Sequence, residues 1–208
     1  MARKRAPKEQ LGLLEARTRT APCVPAIREA VSEWREHGYK GITNTTRILL
    51  NYWFHTDHRL PNNKLFKYHD AQREAMETLI FIYEVAVIRR HKDLLEKYAP
   101  NNPDLRLLQY DDFKRFCIKM ATGSGKTKVM SLAIAWQYFN AVVEGRNDYA
   151  KVYLVLAPNV IVFERLCIDF RGGRIFRTSQ SCITPPGKRL RMTMRARPIF
   201  NPQNESRT

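Results

Sequence analysis

The spacing of apolar residues predicts three helices in the first half of the chain. The first helix begins near Pro25, which favours the first turn of a helix, and ends before Gly38; its apolar positions are Ile27, Val31 and Trp34. A second, short helix is predicted over residues 47–54, capped by Thr45 or Thr46. Its buried face would consist of Ile48, Leu49, Tyr52 and Trp53.

The longest periodic segment covers residues 70–98. Asp70 favours the N-cap position of a helix, and Pro100 and Pro103 follow the segment closely. Apolar residues recur three and four positions apart along it, at Ala75, Met76, Leu79, Ile80, Ile82, Tyr83 and Ala86. A stripe of this width predicts one long helix with a buried face.

After residue 108 the pattern changes to alternating strands and helices. Strands are predicted over residues 113–119 and 151–157, and the second of these is nearly wholly apolar, as is typical of a parallel strand buried on both faces. A helix is predicted over residues 126–144, closed by Gly145, and another from its cap Asn159 to about Phe170. This order implies a right-handed parallel crossover, the unit of an α/β fold.

The loop between the first strand and the first of these helices carries a phosphate-binding sequence. Residues 119–127 read Lys-Met-Ala-Thr-Gly-Ser-Gly-Lys-Thr. Gly123 and Gly125 allow a tight turn whose N–H groups face an anion, and the N-terminus of the following helix faces the same anion. Lys126 is expected to reach the β- and γ-phosphates, and the Thr127 hydroxyl is expected to coordinate Mg²⁺.

This loop predicts Mg²⁺ and ATP as the cofactors. The catalytic candidates are Lys126 and Thr127, and the candidate nucleotide contacts are Ala121, Thr122, Gly123, Ser124, Gly125, Lys126 and Thr127. Met120 stands where the generic pattern has a glycine, five residues before Gly125. That difference argues against the nucleotide-kinase and G-protein form of the loop.

The net charge and the lack of a recognised targeting segment indicate the class of partner and the expected compartment. The 36 Lys+Arg against 20 Asp+Glu give a net charge of +16, which suits a polyanion, nucleic acid ahead of a membrane surface. However, +12 of this charge lies in residues 1–20 and 171–208, so it is weak support for a binding groove on the core. Because no signal peptide or membrane span is recognised, a cytoplasmic protein is expected.

The four cysteines show no metal-binding pattern. Cys23, Cys117, Cys167 and Cys182 contain no Cys-x-x-Cys pair and have no His at metal-ligand spacing. Cys117 and Cys167 fall in apolar runs and are predicted to be buried thiols. A reducing compartment fits this usage.

Three stretches together resemble a superfamily 2 helicase motor of the DEAD/DEAH type, closest to the Res subunit of type III restriction enzymes. They are Tyr68-His-Asp-Ala-Gln-Arg-Glu-Ala-Met-Glu-Thr-Leu79, the loop at residues 119–127, and Val155-Leu-Ala-Pro-Asn-Val160, which is similar to motif Ia. Residues 43–54 also resemble that subgroup, and the resemblance covers roughly residues 40–176. It implies a partial phosphate-loop (RecA-like) parallel sheet with helices on both faces, preceded by an α-helical N-terminal extension.

The resemblance also implies roles for residues outside the loop. Gln72 matches the glutamine that reads the adenine edge in that family, and an amide suits this role because it donates and accepts at once. The alternative is a solvated residue in the first turn of a helix. Asn159 lies in the motif that contacts the nucleic-acid backbone, and its alternative role is a helix cap. The implied partners are nucleic acid, DNA ahead of RNA, and further subunits of a restriction or helicase complex.

Several family motifs have no counterpart after Thr127. None of the later acids, Glu144, Asp148, Glu164, Asp169 and Glu205, forms an Asp-Glu pair after an apolar strand, and no second RecA-like domain is recognised. We therefore expect an N-terminal fragment that binds nucleotide weakly and hydrolyses almost none. The expected organisation is a basic flexible arm (1–24), a helical extension (25–108), a partial first RecA-like domain (109–177) and a disordered or frame-shifted tail (178–208).

Two other functions stay open on the sequence alone. A complete small phosphate-loop kinase or NTPase would use the same residues 119–127 for phosphoryl transfer to a small molecule. A non-enzymatic nucleic-acid-binding protein would rely on its basic ends instead, and replacement of Lys126 would leave its binding intact.

Overall fold

The computed structural model describes residues 21–60, 62–100 and 114–178. These residues form two compact units: residues 21–41, 77–100 and 114–117 make the first, and residues 42–60, 62–76 and 118–178 make the second. Residues 1–20 of the predicted arm and 179–208 of the predicted tail lie outside the described residues. The predicted domain boundaries stay a prediction.

The first unit packs around helix α1, Val24–Glu36. Ile27, Val31 and Trp34 are its buried residues, so the predicted apolar face is confirmed. Cys23 just before the helix is also buried, and a left-handed Gly38 follows its end at φ 74°. The Trp34 ring lies 5.5 Å from the Phe81 ring and stacks edge-on against Tyr39 at 4.9 Å.

The predicted long helix over residues 70–98 is wrong, because the segment is divided. Helix α2 covers Asn44–His55 and belongs to the second unit, helix α3 covers Asp70–Ile80, a π-helix follows over Phe81–Val85, and helix α4 covers His91–Tyr98. Phe81, Ile82 and Tyr83 are three consecutive buried residues, and a regular α-helix cannot turn three consecutive side chains toward one narrow stripe.

The break between the π-helix and α4 is fixed by local contacts. Val87 has a left-handed backbone with φ 53°, which is strained for a β-branched residue. The Arg89 guanidinium lies 3.6 Å from the centre of the Tyr83 ring, and its Nη1 donates to the Tyr83 carbonyl across 2.6 Å. Residues 86–90 are therefore non-helical where the periodicity predicts one continuous helix.

A buried carboxylate joins α1 to the end of α3 within the first unit. Glu77 is fully buried and accepts from Arg35 Nε at 2.9 Å, with Arg35 Nη2 also bonded to the same oxygen. Tyr39 donates its hydroxyl to the other oxygen across 2.6 Å. A buried carboxylate needs such partners because desolvation of an unpaired charge is costly.

In the second unit, helix α2 packs on helix α5, Lys126–Val143. The predicted N-cap is wrong: Thr43 caps α2, accepting from the Thr46 N–H at 3.0 Å, because its backbone is extended while Thr45 and Thr46 are already helical. Leu49 and Trp53 are buried as predicted, whereas Ile48 is exposed and Leu50 takes its place in the core.

Two short strands follow α2. Strand β1, His58–Arg59, pairs antiparallel with β2, Leu65–Phe66. Neighbouring aromatic rings make a half-buried cluster with ring-to-ring distances of 4.6–6.5 Å; its members are Tyr52, Phe54, His58, Phe66 and Tyr68. The Arg73 guanidinium lies 5.6 Å from the Phe54 ring, within cation–π range.

The helix predicted after Asn159 is confirmed. Helix α6 covers Val160–Phe170, and the Asn159 side chain accepts from the Val162 N–H at 2.9 Å as its N-cap. A 3₁₀ turn over Arg171–Gly173 and helix α7, Arg174–Thr178, were not predicted. They complete a small apolar cluster that consists of Ile134, Phe170, Ile175 and Phe176.

The two predicted parallel strands carry no regular secondary structure. This holds for residues 114–119 and for residues 151–157, and in the part of the chain that the structure describes, β1 and β2 are the only strands. The apolar side chains of the second segment are exposed: Val152 by 89%, Leu154 by 77% and Leu156 by 72%. The parallel sheet is neither shown nor excluded, and it stays a prediction.

The prediction of two buried thiols is wrong. Cys117 is exposed and Cys167 is only half-buried. The burial of both thiols was predicted from the apolar runs around them, and Cys117 lies in the segment at 114–119, which carries no regular secondary structure. None of the described helices combines the length and the apolar character that a membrane span requires.

Candidate phosphate-binding site

Two left-handed glycines shape the loop that precedes helix α5. Gly123 has φ 81° and Gly125 has φ 80°, a region that other L-residues rarely enter. Gly125 occupies the N-cap position, and α5 begins at Lys126 as predicted. The predicted end of this helix is also confirmed, since its last residue is Val143 and a left-handed Gly145 follows at φ 66°.

The loop presents backbone N–H groups without an acceptor. Within the described residues, the N–H groups of Gly123, Gly125, Lys126 and Thr127 donate to no other group. The next two donors are satisfied, because Lys128 N–H and Val129 N–H reach the Gly125 carbonyl at 2.9 and 3.3 Å. Orphan donors at a helix N-terminus, together with the positive end of the helix dipole, make a site for an anion.

The Lys126 amine folds back onto the first residues of the same loop. Its Nζ donates to the Ala121 carbonyl across 2.9 Å and to the Met120 carbonyl across 3.4 Å. The Ser124 hydroxyl also donates to the Ala121 carbonyl, across 2.7 Å. A phosphate oxygen is a stronger acceptor for an ammonium than a carbonyl, so an entering phosphate would compete for this amine.

The remaining predicted contacts of the loop differ in exposure. Ala121 and Thr122 are exposed on its outer turn, where the Ser124 N–H reaches the Ala121 carbonyl at 3.4 Å. Thr127 is half-buried in the first turn of α5. The loop thus brings the residues from 121 to 127 together, and their contacts with nucleotide stay predictions.

Gln72 lies against this loop and its amide is engaged on both sides. The Nε2 group donates to the Ser124 carbonyl across 3.0 Å, and Oε1 accepts from the His69 N–H across 3.0 Å. Gln72 is only 2% exposed, which excludes the alternative of a solvated glutamine, and its predicted contact with adenine stays a prediction. A Cβ placed on Gly125 would lie 2.1 Å from Nε2, which shows how closely the amide approaches the loop.

One residue near the loop was missed by the sequence analysis. Lys128, in the first turn of α5, places its Nζ 4.2 Å from the centre of the Phe66 ring, and burial lowers the pKa of its ammonium group. The hairpin that carries Phe66 is only two residues long on each strand, so no periodicity marked it. Among the described residues, no three His, Cys, Asp or Glu side chains form a group able to hold a metal ion.

The left-handed turn, Lys126 and the N–H groups that have no acceptor within the described residues form an arrangement that suits a phosphate. The chain matches the family model described as "Type III restriction enzyme, res subunit" over residues 65–185, which is more than half of its length. It therefore belongs to that family, a helicase superfamily 2 domain, and the match supports a helicase-like ATP-binding motor domain. Comparison with curated proteins gave no match, and comparison with solved structures gave none either.

Proposed function

We propose that this chain binds Mg·ATP through residues 121–127 and serves as the ATP-binding part of a DNA helicase or translocase. The observation that carries the proposal is a set of four N–H groups beside the Lys126 amine that have no acceptor within the described residues, those of Gly123, Gly125, Lys126 and Thr127. Five donors in one turn, one of them charged, match the oxygens of a phosphate chain.

Different groups of the loop have different roles in binding the phosphates. The backbone donors hold the phosphate chain, and the Lys126 ammonium moves from the Ala121 carbonyl to phosphate oxygens. The Thr127 hydroxyl and the phosphate oxygens would hold Mg²⁺. When bound, the ion neutralises charge on the β- and γ-phosphates.

The nucleic-acid partner is proposed from the family and from charge. The Res family is a helicase family, and the chain carries +16 net charge. Because Asn159 is used as the cap of α6, a phosphate contact in this region would involve the backbone of residues 155–160 rather than that side chain.

A single experiment separates the ATP site from the nucleic-acid site. Single-stranded and duplex DNA are titrated against the unaltered chain and against Lys126→Ala at two salt concentrations, with radiolabelled Mg·ATP binding measured in parallel. We expect Lys126→Ala to lose Mg·ATP binding and to retain DNA binding, which weakens with salt. Loss of neither activity in Lys126→Ala, or failure of the unaltered chain to bind either ligand, would contradict the proposal.

A further inference from the structure

Gln72 forms a hydrogen bond to one side of the peptide unit between Ser124 and Gly125. Its carbonyl oxygen accepts from Gln72 Nε2 across 3.0 Å. A trans peptide is planar, and its C=O and N–H bonds point in opposite directions. The Gly125 N–H therefore points away from Gln72, and this N–H is one of the donors without an acceptor in the described part of the chain.

The Gln72 amide is itself held in one orientation. Its Oε1 accepts from the His69 N–H at 3.0 Å, which assigns the opposite end of the amide to the Ser124 carbonyl as donor. A reversed amide would place two acceptors, Oε1 and the Ser124 oxygen, against each other. The His69 contact thus fixes the direction of the whole chain of hydrogen bonds.

Burial removes this amide from the reach of a nucleobase. Reading adenine requires an acceptor for the N6 amino group and a donor for N7 on one accessible edge. Gln72 is 2% exposed, and both ends of its amide already have protein partners. To read a base, the side chain would have to leave a buried position and release two hydrogen bonds.

We propose that Gln72 is a positioning residue for the phosphate loop, and that the site selects the triphosphate and not the base. The inference rests on the proposed function, since it concerns the same site and the same ligand. Gln72 orients the Ser124–Gly125 peptide so that the Gly125 N–H faces the phosphates. Gln72 therefore contributes equally to the binding of every nucleoside triphosphate and of inorganic triphosphate.

The test compares three ligands that share a phosphate chain and differ in the base. Dissociation constants are measured by calorimetry for Mg·ATP, Mg·GTP and Mg·tripolyphosphate with the unaltered chain, with Gln72→Met and with Gln137→Met. Methionine keeps the length of the side chain and removes its hydrogen bonds. Gln137 is a matched control, because it accepts one hydrogen bond, from the Ala150 N–H at 3.0 Å, in the same unit.

We expect the unaltered chain to bind Mg·ATP and Mg·GTP with constants within about threefold of each other, a difference under 1 kcal/mol. Gln72→Met should weaken all three ligands by the same factor, about tenfold, which corresponds to two ordinary hydrogen bonds. Gln137→Met should leave all three unchanged. Circular dichroism of each variant verifies that it is folded.

The pH dependence of ligand binding by Gln72→Glu distinguishes a positioning role from a general loss of structure. An ionised carboxylate cannot donate to the Ser124 carbonyl, whereas a protonated one can, and burial raises the pKa of a glutamic acid. Relative to the unaltered chain at each pH, Gln72→Glu should bind about tenfold more weakly at alkaline pH and recover as the pH falls toward 5. No recovery on acidification would contradict the positioning role.

The outcomes separate this inference from the proposed function. A preference for ATP over GTP above about tenfold, especially one that disappears in Gln72→Met, would overturn the inference and leave the ATP site intact. Failure of the unaltered chain to bind any of the three ligands would overturn the proposed function and the inference with it.

Discussion

Asn140 on helix α5 donates its side-chain amide to the Thr46 hydroxyl of helix α2 across 2.9 Å. Trp136 Nε1 donates to the same oxygen at 3.1 Å, and the hydroxyl groups of Thr43 and Thr46 are hydrogen-bonded to each other at 2.8 Å. Thr46 and Asn140 are both fully buried. Helix α5 directly follows the phosphate loop, and its first turn carries Lys126 and Thr127. This polar cluster therefore holds the helix that carries these two residues against α2.

Thr46→Val should destabilise the chain by about 2–3 kcal/mol, because it leaves buried donors on Trp136 and Asn140 without their acceptor at nearly constant volume. Urea unfolding followed by tryptophan fluorescence measures the loss. Ile48→Val on the exposed face of the same helix is the control, with a change of at most about 0.5 kcal/mol. Equal stabilities for the two variants would show that the cluster does not hold α2 on α5.

Glu77→Ala should destabilise the chain by about 2–3 kcal/mol, less than the roughly 3–5 kcal/mol of a fully buried pair, because the Arg35 side chain is partly exposed. Glu77→Gln should cost less, since its amide oxygen still accepts from Tyr39. The same unfolding measurement ranks the two variants. Glu36→Ala, at an exposed carboxylate in the last turn of α1, should change stability little, and a loss as large as that of Glu77→Ala would contradict the role given to burial.

Gly125→Ala should weaken Mg·ATP binding more than Gly123→Ala. Both positions have left-handed backbones, which cost other residues about 1–2 kcal/mol. Only at Gly125 would the new Cβ meet another group, Gln72 Nε2, at 2.1 Å; nothing lies within 4 Å of the Gly123 position.

Combining Gly125→Ala with Gln72→Ala extends this test. Because the two changes disturb one contact, the double variant should bind Mg·ATP no more weakly than Gly125→Ala alone. Additive losses in dissociation constant would mean that the two residues act separately.

Glu144 should make the second unit sensitive to acid. Its carboxylate accepts from the Thr45 side chain and from the Thr45 N–H, at 2.8 Å for the latter, and these bonds lower its pKa from the ordinary value of 4.5. A lowered folded-state pKa means that the contribution is complete above pH 4.5 and is lost as the pH falls through the folded-state value.

Glu144→Gln should therefore flatten the dependence of the unfolding free energy on pH in this acid range. Thr45→Val, which removes the side-chain donor, should flatten it in part. The measurement is urea unfolding between about pH 3 and pH 7. A curve for Glu144→Gln that is parallel to that of the unaltered chain would contradict this assignment.

Local sequence was sufficient for the parts of the site that are local in the chain. The start of α5 at Lys126, the left-handed glycines and the Asn159 cap all follow from neighbours within a few residues. The hydrogen bond of Gln72 to the loop could not be predicted from the sequence, because its partner Ser124 lies 52 positions away and only the tertiary fold brings them together.

The segments in which the structure departs from the apolar periodicity have a common physical cause. A strand is defined by its hydrogen-bonded neighbour, so the apolar residues of 151–157 indicate a preference and not a pairing. The break after Val85 similarly arises from tertiary burial of consecutive residues and from the contact of Arg89 with Tyr83. Apolar periodicity reports neither of these.

Calorimetric titration of Mg·ATP into the unaltered chain, Lys126→Ala and Lys151→Ala tests the central claim most directly. Lys151 is an exposed lysine of the same unit and controls for the loss of one positive charge. The account predicts saturable heat at one site for the unaltered chain and for Lys151→Ala, and its loss in Lys126→Ala. Absence of heat with the unaltered chain, or equal binding by Lys126→Ala, would contradict it.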